Sequence, residues 1–249
     1  GEQLTAQIFC LRMCYSKQAF VMALPNQSQE AFFEGHVRAF DFLGGVPRQL
    51  VYDNLKTAVK KILKGRDREE QVAFIAFRSH HLFNSRFCTP SQAHEKGLVE
   101  GSVGYSRRNF MVPIPEQATW DDLNSYLWEK CKAEGPRRLR GMQVTIGEAL
   151  ALEQRQLLPL PSKPFPCCRL HPVQANGFGL VTFQTNRYSV PSHCAHEAIW
   201  LRAFSHRVEI TNGRKMLAVH TRCYGREQDI LNPLHYLPLL ERRPGAWDH

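Results

Sequence analysis

The stretch Gly44-Gly45-Val46-Pro47-Arg48-Gln49-Leu50-Val51-Tyr52-Asp53-Asn54 constrains the fold of this chain more than any other. Two glycines and a proline make a turn. Gln49 to Tyr52 then read as a short apolar strand, and an acid, Asp53, arrives at its carboxyl end with Asn54 and Lys56 close behind. Upstream, from Glu30 to Leu43, Phe33, Val37 and Phe40 recur at helical spacing, flanked by Phe32 and Leu43. That pattern predicts an amphipathic helix packed on a sheet and ended by Gly44-Gly45. Ligands in open α/β folds gather outside the carboxyl ends of strands, which makes Asp53 a candidate metal ligand. A strand-ending Asp is more often a turn or capping residue, so the residue alone leaves both roles open.

Charge narrows the partner. Lys and Arg number 32 against 23 Asp and Glu, a formal net charge of +9 over 249 residues. Such a balance favours a polyanion, with a merely solvated basic surface as the alternative. The 43% hydrophobic fraction excludes a disordered chain, and the sequence has no apolar run of the 18 or more residues that would mark a membrane span. Eight cysteines form no framework: Cys10 and Cys14 are spaced C-x₃-C, Cys167 and Cys168 are adjacent, and the rest are scattered. His193-Cys194-x-His196 and Cys167-Cys168-x-x-His171 are partial zinc sets without a second half. Reduced, mostly buried thiols in a cytosolic protein are the expectation. No signal peptide is visible. The chain lacks an initiator Met and reads as a fragment beginning in mid-domain.

Around the organising stretch, Leu4 to Met13 and Gln18 to Leu24 predict an antiparallel hairpin, and Asn26 or Ser28 a helix cap, with Gln29 placed three after Asn26 as in a capping box. A basic segment follows Asp53: Lys56, Lys60, Lys61, Lys64, Arg66 and Arg68. It reads as a solvated face or as phosphate contacts. A helix over Glu69 to Ser79 and a strand over Phe83 to Cys88 come next, and Thr89-Pro90-Ser91 opens another helix. In Gln92 to Phe110, Lys96, Glu100 and Arg107 share one helical face, and Arg108 adds charge. Gly97, Gly101 and Gly104 each cost a helix interior up to about 1 kcal/mol, which points to close approach of a backbone, metal or strand. His94 is a candidate for orienting a phosphate or ligand, or is a surface histidine.

Thr119 to Glu134 predicts a capped helix with a stripe of Trp120, Leu123, Leu127 and Cys131. Arg137, Arg138 and Arg140 link it to a helix over Ile146 to Gln156. Leu157 to Pro166, with four prolines, reads as an interdomain connector. Then the character turns all-β: a hairpin over Gly177 to Val190 with Thr185-Asn186-Arg187 at its tip, and strands over Ala198–Phe204, Arg207–Thr211 and Lys215–Thr221. Asn212-Gly213 signals a type I′ turn. These predict a small β-barrel, its surface made basic by Arg187, Arg202, His206, Arg207, Arg214, Lys215 and Arg222. A Pro-rich tail from Gln228 docks back on the body. The expected domains are 1–115, 116–166, 167–225 and 226–249.

The combination GGVPR-x-L-x-YDN-L-K-x-AV with EKG-x-VE (residues 95–100), followed by a small β-domain, resembles the transposases of the twenty-first insertion-sequence family (IstA type). These are DDE transposases with a retroviral-integrase-like core. The resemblance implies an α/β ribonuclease H-like core, a mixed five-stranded sheet flanked by helices. Within it Asp53 matches the second acid and Glu100 the third. The first acid is expected in a strand upstream of Leu4, so the chain reads as N-terminally truncated and inactive alone. Also implied are Mg²⁺ (two ions, Mn²⁺ as substitute), double-stranded DNA as element ends and target, an AAA+ ATPase helper of IstB type, and a multimer on DNA. A cytoplasmic, nucleoid-associated location without membrane contact goes with these. Position alone nominates Lys56, Lys60, Lys61, Lys96, Arg107, Arg108, Arg187 and Arg214 as DNA contacts. The competing readings are a non-catalytic DNA-binding remnant and a ribonuclease H-like nuclease that does not transpose.

Overall fold

Two runs rich in apolar residues make the antiparallel strands β1 (Gln7–Arg12) and β2 (Ala19–Leu24), paired from Gln7↔Leu24 to Arg12↔Ala19. In this computed structural model of the chain, residues 4–52, 59–62, 68–88 and 104–241 are described. The hairpin is shorter than the apolar pattern predicts. Its ladder gives way at Met13, whose N–H reaches the Gln18 carbonyl (2.9 Å) around a left-handed Lys17. All six residues of β2 are buried because both its faces are covered. Phe20, Met22 and Leu24 pack with Ala31 and Ala39 of the next helix, while Val21 and Ala23 pack with Phe110, Leu127 and Cys131.

That helix, α1 (Gln29–Leu43), is capped by Ser28, whose side chain accepts the Ala31 N–H. Asn26 does not cap it; its side chain accepts the Ser28 N–H (2.9 Å). Gly44, at φ +75°, ends α1 in the left-handed conformation. After the turn comes β3 (Gln49–Tyr52), at the predicted boundaries. The chain then forms a small antiparallel pair, β4 (Val59–Ile62) and β5 (Arg68–Glu70). Because 68–70 is spent on β5, α2 (Val72–His81) begins three residues later than its sequence pattern suggests. It carries the chain over to β6 (Asn84–Phe87), which runs parallel to β3. Helix α3 covers 104–110. Next are α4 (Trp120–Lys132), capped by Thr119, and α5 (Ile146–Gln154), opened by a Thr145/Glu148 capping box. Asn124 of α4 joins itself to β2 by accepting the Ala23 N–H (2.8 Å) and donating to its carbonyl (3.0 Å).

Two departures from expectation matter in this part. The described ladders here are three separate pairs, not one five-stranded sheet. And the Pro-rich segment is no bare connector. Val46 and Leu158 exchange backbone hydrogen bonds at 2.8 Å each way, and Phe165 lies edge-on to Phe77 (5.0 Å) and Phe33 (5.6 Å). The chain divides into two compact units, and this segment closes the first, Gly1–Pro166.

The second unit is Cys167–His249; among its described residues it is all-β apart from short helical turns and α6 (Leu237–Glu241). Strands β7 (Arg169–Gln174), β10 (Ala198–Ala203), β11 (Arg207–Thr211) and β12 (Met216–Thr221) form one sheet in the order β12-β11-β10-β7. A second sheet has the order β13-β9-β8, made by β8 (Leu180–Phe183), β9 (Asn186–Ser189) and β13 (Asp229–Ile230). The two sheets share one core, with Val181, Phe183 and Tyr188 meeting Ile199, Leu201, Val208 and Ile210. Among the described residues they do not close into a hydrogen-bonded barrel.

The turns differ from their sequence signals. Gln184 and Thr185, both at positive φ, form the β8–β9 tip, which leaves Asn186 and Arg187 inside β9. Asn212 does not share Gly213's left-handed φ. Its side chain instead accepts the Arg214 and Lys215 N–H groups across a longer loop. The tail does dock: β13 pairs with β9, and His235 Nδ1 meets the Ser189 hydroxyl at 2.9 Å. No helix among the described residues is long and apolar enough to cross a membrane.

Candidate active site and nucleic-acid interface

The carboxyl end of β3 is held from three sides. Parallel pairing sets Tyr52 opposite Phe87. The Tyr52 carbonyl accepts the Cys88 N–H (2.8 Å), and at the other end of the strand the Arg48 carbonyl accepts the Asn84 N–H (2.8 Å). Alternation turns Leu50 and Tyr52 inward and leaves Gln49 and Val51 exposed. The Tyr52 phenol stands 3.0 Å from His36 Nε2 of α1, and His36 Nδ1 stands 2.8 Å from the Phe32 carbonyl one turn back. A carbonyl only accepts, so Nδ1 carries the proton, Nε2 is the acceptor, and Tyr52 donates. Burial pushes the His36 pKa down to about 4, which keeps the imidazole neutral, as that arrangement requires. Around the pair stand Phe9, Phe32, Phe40 and Phe77.

Helix α3 is anchored as firmly. Ser106 and Phe110 are buried, and the Tyr105 hydroxyl donates to Glu134 Oε2 (2.6 Å) just past α4. Arg137 closes this group by pairing with Glu134 and stacking its guanidinium over the Tyr105 ring. From β1, Arg12 covers the same ring. Gly104, one of the three glycines noted in this stretch, leaves room for the Arg108 side chain: a Cβ there would lie 3.3 Å from Nη1.

Asp53, Glu100, Lys56 and Lys96 lie outside the described residues, as do His94, Gly97 and Gly101; Lys60 and Lys61 lie in β4, where only the backbone is described. Tyr52 is the residue before Asp53, and Gly104, the first described residue of α3, comes four residues after Glu100. Among the described candidate DNA contacts, Arg107 and Arg108 are both exposed on α3, and Arg214 is exposed in the β11–β12 loop. Arg187 is exposed too, but its guanidinium forks onto both carboxylate oxygens of Asp229. No three His, Cys, Asp or Glu side chains among the described residues gather as a metal-ligating set. Cys88, Cys131, Cys167 and Cys194 are buried, and burial pushes the Cys131 thiol up to about 12. Sequence reasoning missed His36, Tyr52, Tyr105 and Glu134. The available signal was a histidine on the apolar face of α1, one turn after Phe32.

Residues 160–232 match the family model described as the Mu transposase C-terminal domain, a span that takes in both sheets of the second unit. Along nearly its whole length the chain is similar to transposases of insertion sequences. It is 33% identical over 252 residues to a transposase of Aminobacter aminovorans, covering 99% of this chain and 49% of that protein. Identity to the transposase for insertion sequences IS1326/IS1353 of Pseudomonas aeruginosa is also 33%, over 99% and 50%. To the transposase for insertion sequence element IS21 of the same organism it is 30%, over 97% and 62%. The chain thus spans about half the length of the curated relatives it matches. Among solved structures, a chain of the simian T-cell lymphotropic virus intasome, in complex with PP2A regulatory subunit B56 gamma, overlays with a TM-score of 0.43. Its identity is 12% over 88% of this chain and 78% of that one.

Proposed function

We propose that this chain is the core and C-terminal part of an IstA-type DNA transposase, which cuts the ends of an insertion sequence and joins them to target DNA. The observation that carries this reading is the 33% identity maintained across 99% of the chain to proteins named transposases. A likeness of that extent takes in the α/β unit and the all-β unit in one order. Within the first unit, residues 1–115 are read as a ribonuclease H-like core. Supporting that are the β1–β2 hairpin, the following α1, and the parallel β3–β6 pair bridged by α2. Residues 116–166 are then a helical extension, 167–225 a small barrel-like domain, and 226–249 its tail.

Within this reading Asp53 and Glu100 are two of the acids of a DDE site. Their fit to a metal rests on donor chemistry: carboxylate oxygens suit hard cations such as Mg²⁺, with Mn²⁺ as substitute. Two such ions, when bound, supply activation of a water or 3′-hydroxyl and charge neutralisation at the scissile phosphate. The chain's own cations hold the DNA. Arg107, Arg108 and Arg214 offer exposed guanidinium groups to phosphates, joined by Lys56, Lys60, Lys61 and Lys96. Arg187 contributes only by exchanging Asp229 for a phosphate. The same reading brings a multimer on the element's ends, an AAA+ helper of IstB type, and work on the nucleoid in the cytoplasm.

The test uses the full-length transposase and short duplexes carrying the element's ends, with Mg²⁺ or Mn²⁺. Asp53→Asn and Glu100→Gln are each expected to reduce strand transfer to below about 1% of wild type while leaving duplex binding intact. Activity retained in both variants overturns the assignment of the acids.

A further inference from the structure

The two sheets of the second unit present different outer faces. On the three-stranded sheet the outward positions are polar, with Thr182 of β8 opposite Arg187 of β9, the ordinary arrangement for a sheet with one face in water. The four-stranded sheet departs from it. Ile199, Leu201, Val208 and Ile210 point inward and fill the core, and the strand register sets the residues between them in rows across the outer face. One row runs Leu170, Arg202, Glu209, Val219 from β7 to β12, and the next runs Pro172, Trp200, Thr211, Met216. Leu170, Trp200, Met216 and Val219 are 42–57% exposed. Large apolar groups gathered on one outer face mark an interaction surface.

The charges on this face decide what it fits. Glu209 Oε2 holds Arg202 Nη1 (3.1 Å) and Oε1 holds Arg207 Nε (2.8 Å), and both guanidinium groups lie over the Phe204 ring, at 5.3 and 4.0 Å. A carboxylate at the centre repels phosphate, which makes the face a poor match for nucleic acid. It matches itself. A two-fold axis laid along the strands, between β10 and β11, exchanges β10 with β11 and β7 with β12 while keeping each row over the same row of the other copy. Arg202 then opposes the second copy's Glu209, and Leu170 opposes its Val219. A carboxylate offers about four lone-pair sites, so Glu209 can accept a guanidinium from the second copy besides the two it holds. We infer that the outer face of the four-stranded sheet is a self-association surface, on which a second copy of this chain docks face to face about that two-fold axis. This rests on the reading of the chain as a transposase working in a multimer, and it names the surface and the symmetry.

The experiment follows sedimentation of the full chain without DNA over a range of concentrations, with thermal melting in parallel. Wild type is expected to dimerise reversibly. Trp200→Glu is expected to weaken dimerisation about 10-fold or more with the melting temperature kept. Leu170→Glu and Val219→Lys make the decisive comparison. Each alone is expected to weaken dimerisation about 10-fold, yet an equal mixture of the two should re-form dimers, because the new carboxylate of one copy meets the new ammonium of the other. Within one chain the two positions are three strand spacings apart, about 14 Å, so no contact inside a chain gives that recovery. A wild-type chain that stays monomeric at every concentration, or a Trp200→Glu chain that dimerises like wild type, overturns the surface. Two single variants that weaken but do not recover on mixing overturn the face-to-face arrangement. Strand transfer by the full-length protein tests the transposase reading separately: its absence beside a wild-type chain that dimerises as expected sinks that reading and leaves the surface standing.

Discussion

His36 carries a consequence for stability that can be read by varying pH. Its folded pKa of about 4, lowered by burial, lies below the ordinary histidine value of 6.5. The unfolded chain therefore binds the proton more readily between those values, and stability must fall as pH drops through that window. The contribution is fully present above about pH 6.5, and about 3 kcal/mol of it is lost by pH 4. Burial lowers His81 as well, in the same direction. Denaturant unfolding at pH 7 and pH 4.5 is expected to show a larger loss for wild type than for His36→Leu; equal losses would mean the imidazole is not held neutral. At the same scale, Gly35 of α1 faces the Phe9 ring, and an added Cβ would lie 2.6 Å from it. Gly35→Ala is expected to cost about 1–3 kcal/mol by overpacking, seen as a shifted denaturation midpoint. The tolerance of the α1–β1 contact is thus set by one missing methyl group.

Among elements, α1 is the one whose ends the residues specify best. Ser28→Ala removes its cap and is expected to destabilise the first unit by about 1 kcal/mol, whereas Asn26→Ala should cost less, since Asn26 serves the turn before the helix. The Pro-rich segment behaves as a strap. Proline denies it regular structure, yet Leu158 pairs with Val46, the His80 ring nitrogen meets the Lys163 carbonyl at 2.9 Å, and Phe165 enters the aromatic core. Phe165→Ala is expected to cost about 2 kcal/mol, less than the 3–5 kcal/mol of a fully buried phenylalanine. It should also speed protease cleavage between 157 and 166. Unchanged cleavage would show that the strap is held by its backbone bonds alone.

For the whole molecule, the net charge of +9 predicts duplex binding that weakens steeply with salt. Each phosphate contact removed lowers the slope of log affinity against log salt by about 1. Neutralising Arg107 and Arg108 together is expected to lower it by about 2. Arg187→Ala should change it little, because Asp229 already holds that guanidinium. A slope insensitive to Arg107 and Arg108 would remove α3 from the interface.

Read by itself, the sequence determined the periodic and the punctuated features. Those were the amphipathic α1 with its glycine stop, β3 at its observed boundaries, α4 with its Thr119 cap, and the motifs that single out Asp53 and Glu100. Each is a local signal, since a helix face, a strand alternation or a cap is written within a few consecutive residues. Only the tertiary structure decided that Tyr52 donates to His36, that Tyr105 is locked to Glu134, that Phe165 folds back onto Phe77, and that two sheets share a core. It also moved the β8–β9 tip to Gln184-Thr185 and tied Arg187 to Asp229. The physical reason is one and the same. Periodicity tells which side of an element must leave water, whereas the partner that receives it is chosen by chain closure among groups far apart in sequence.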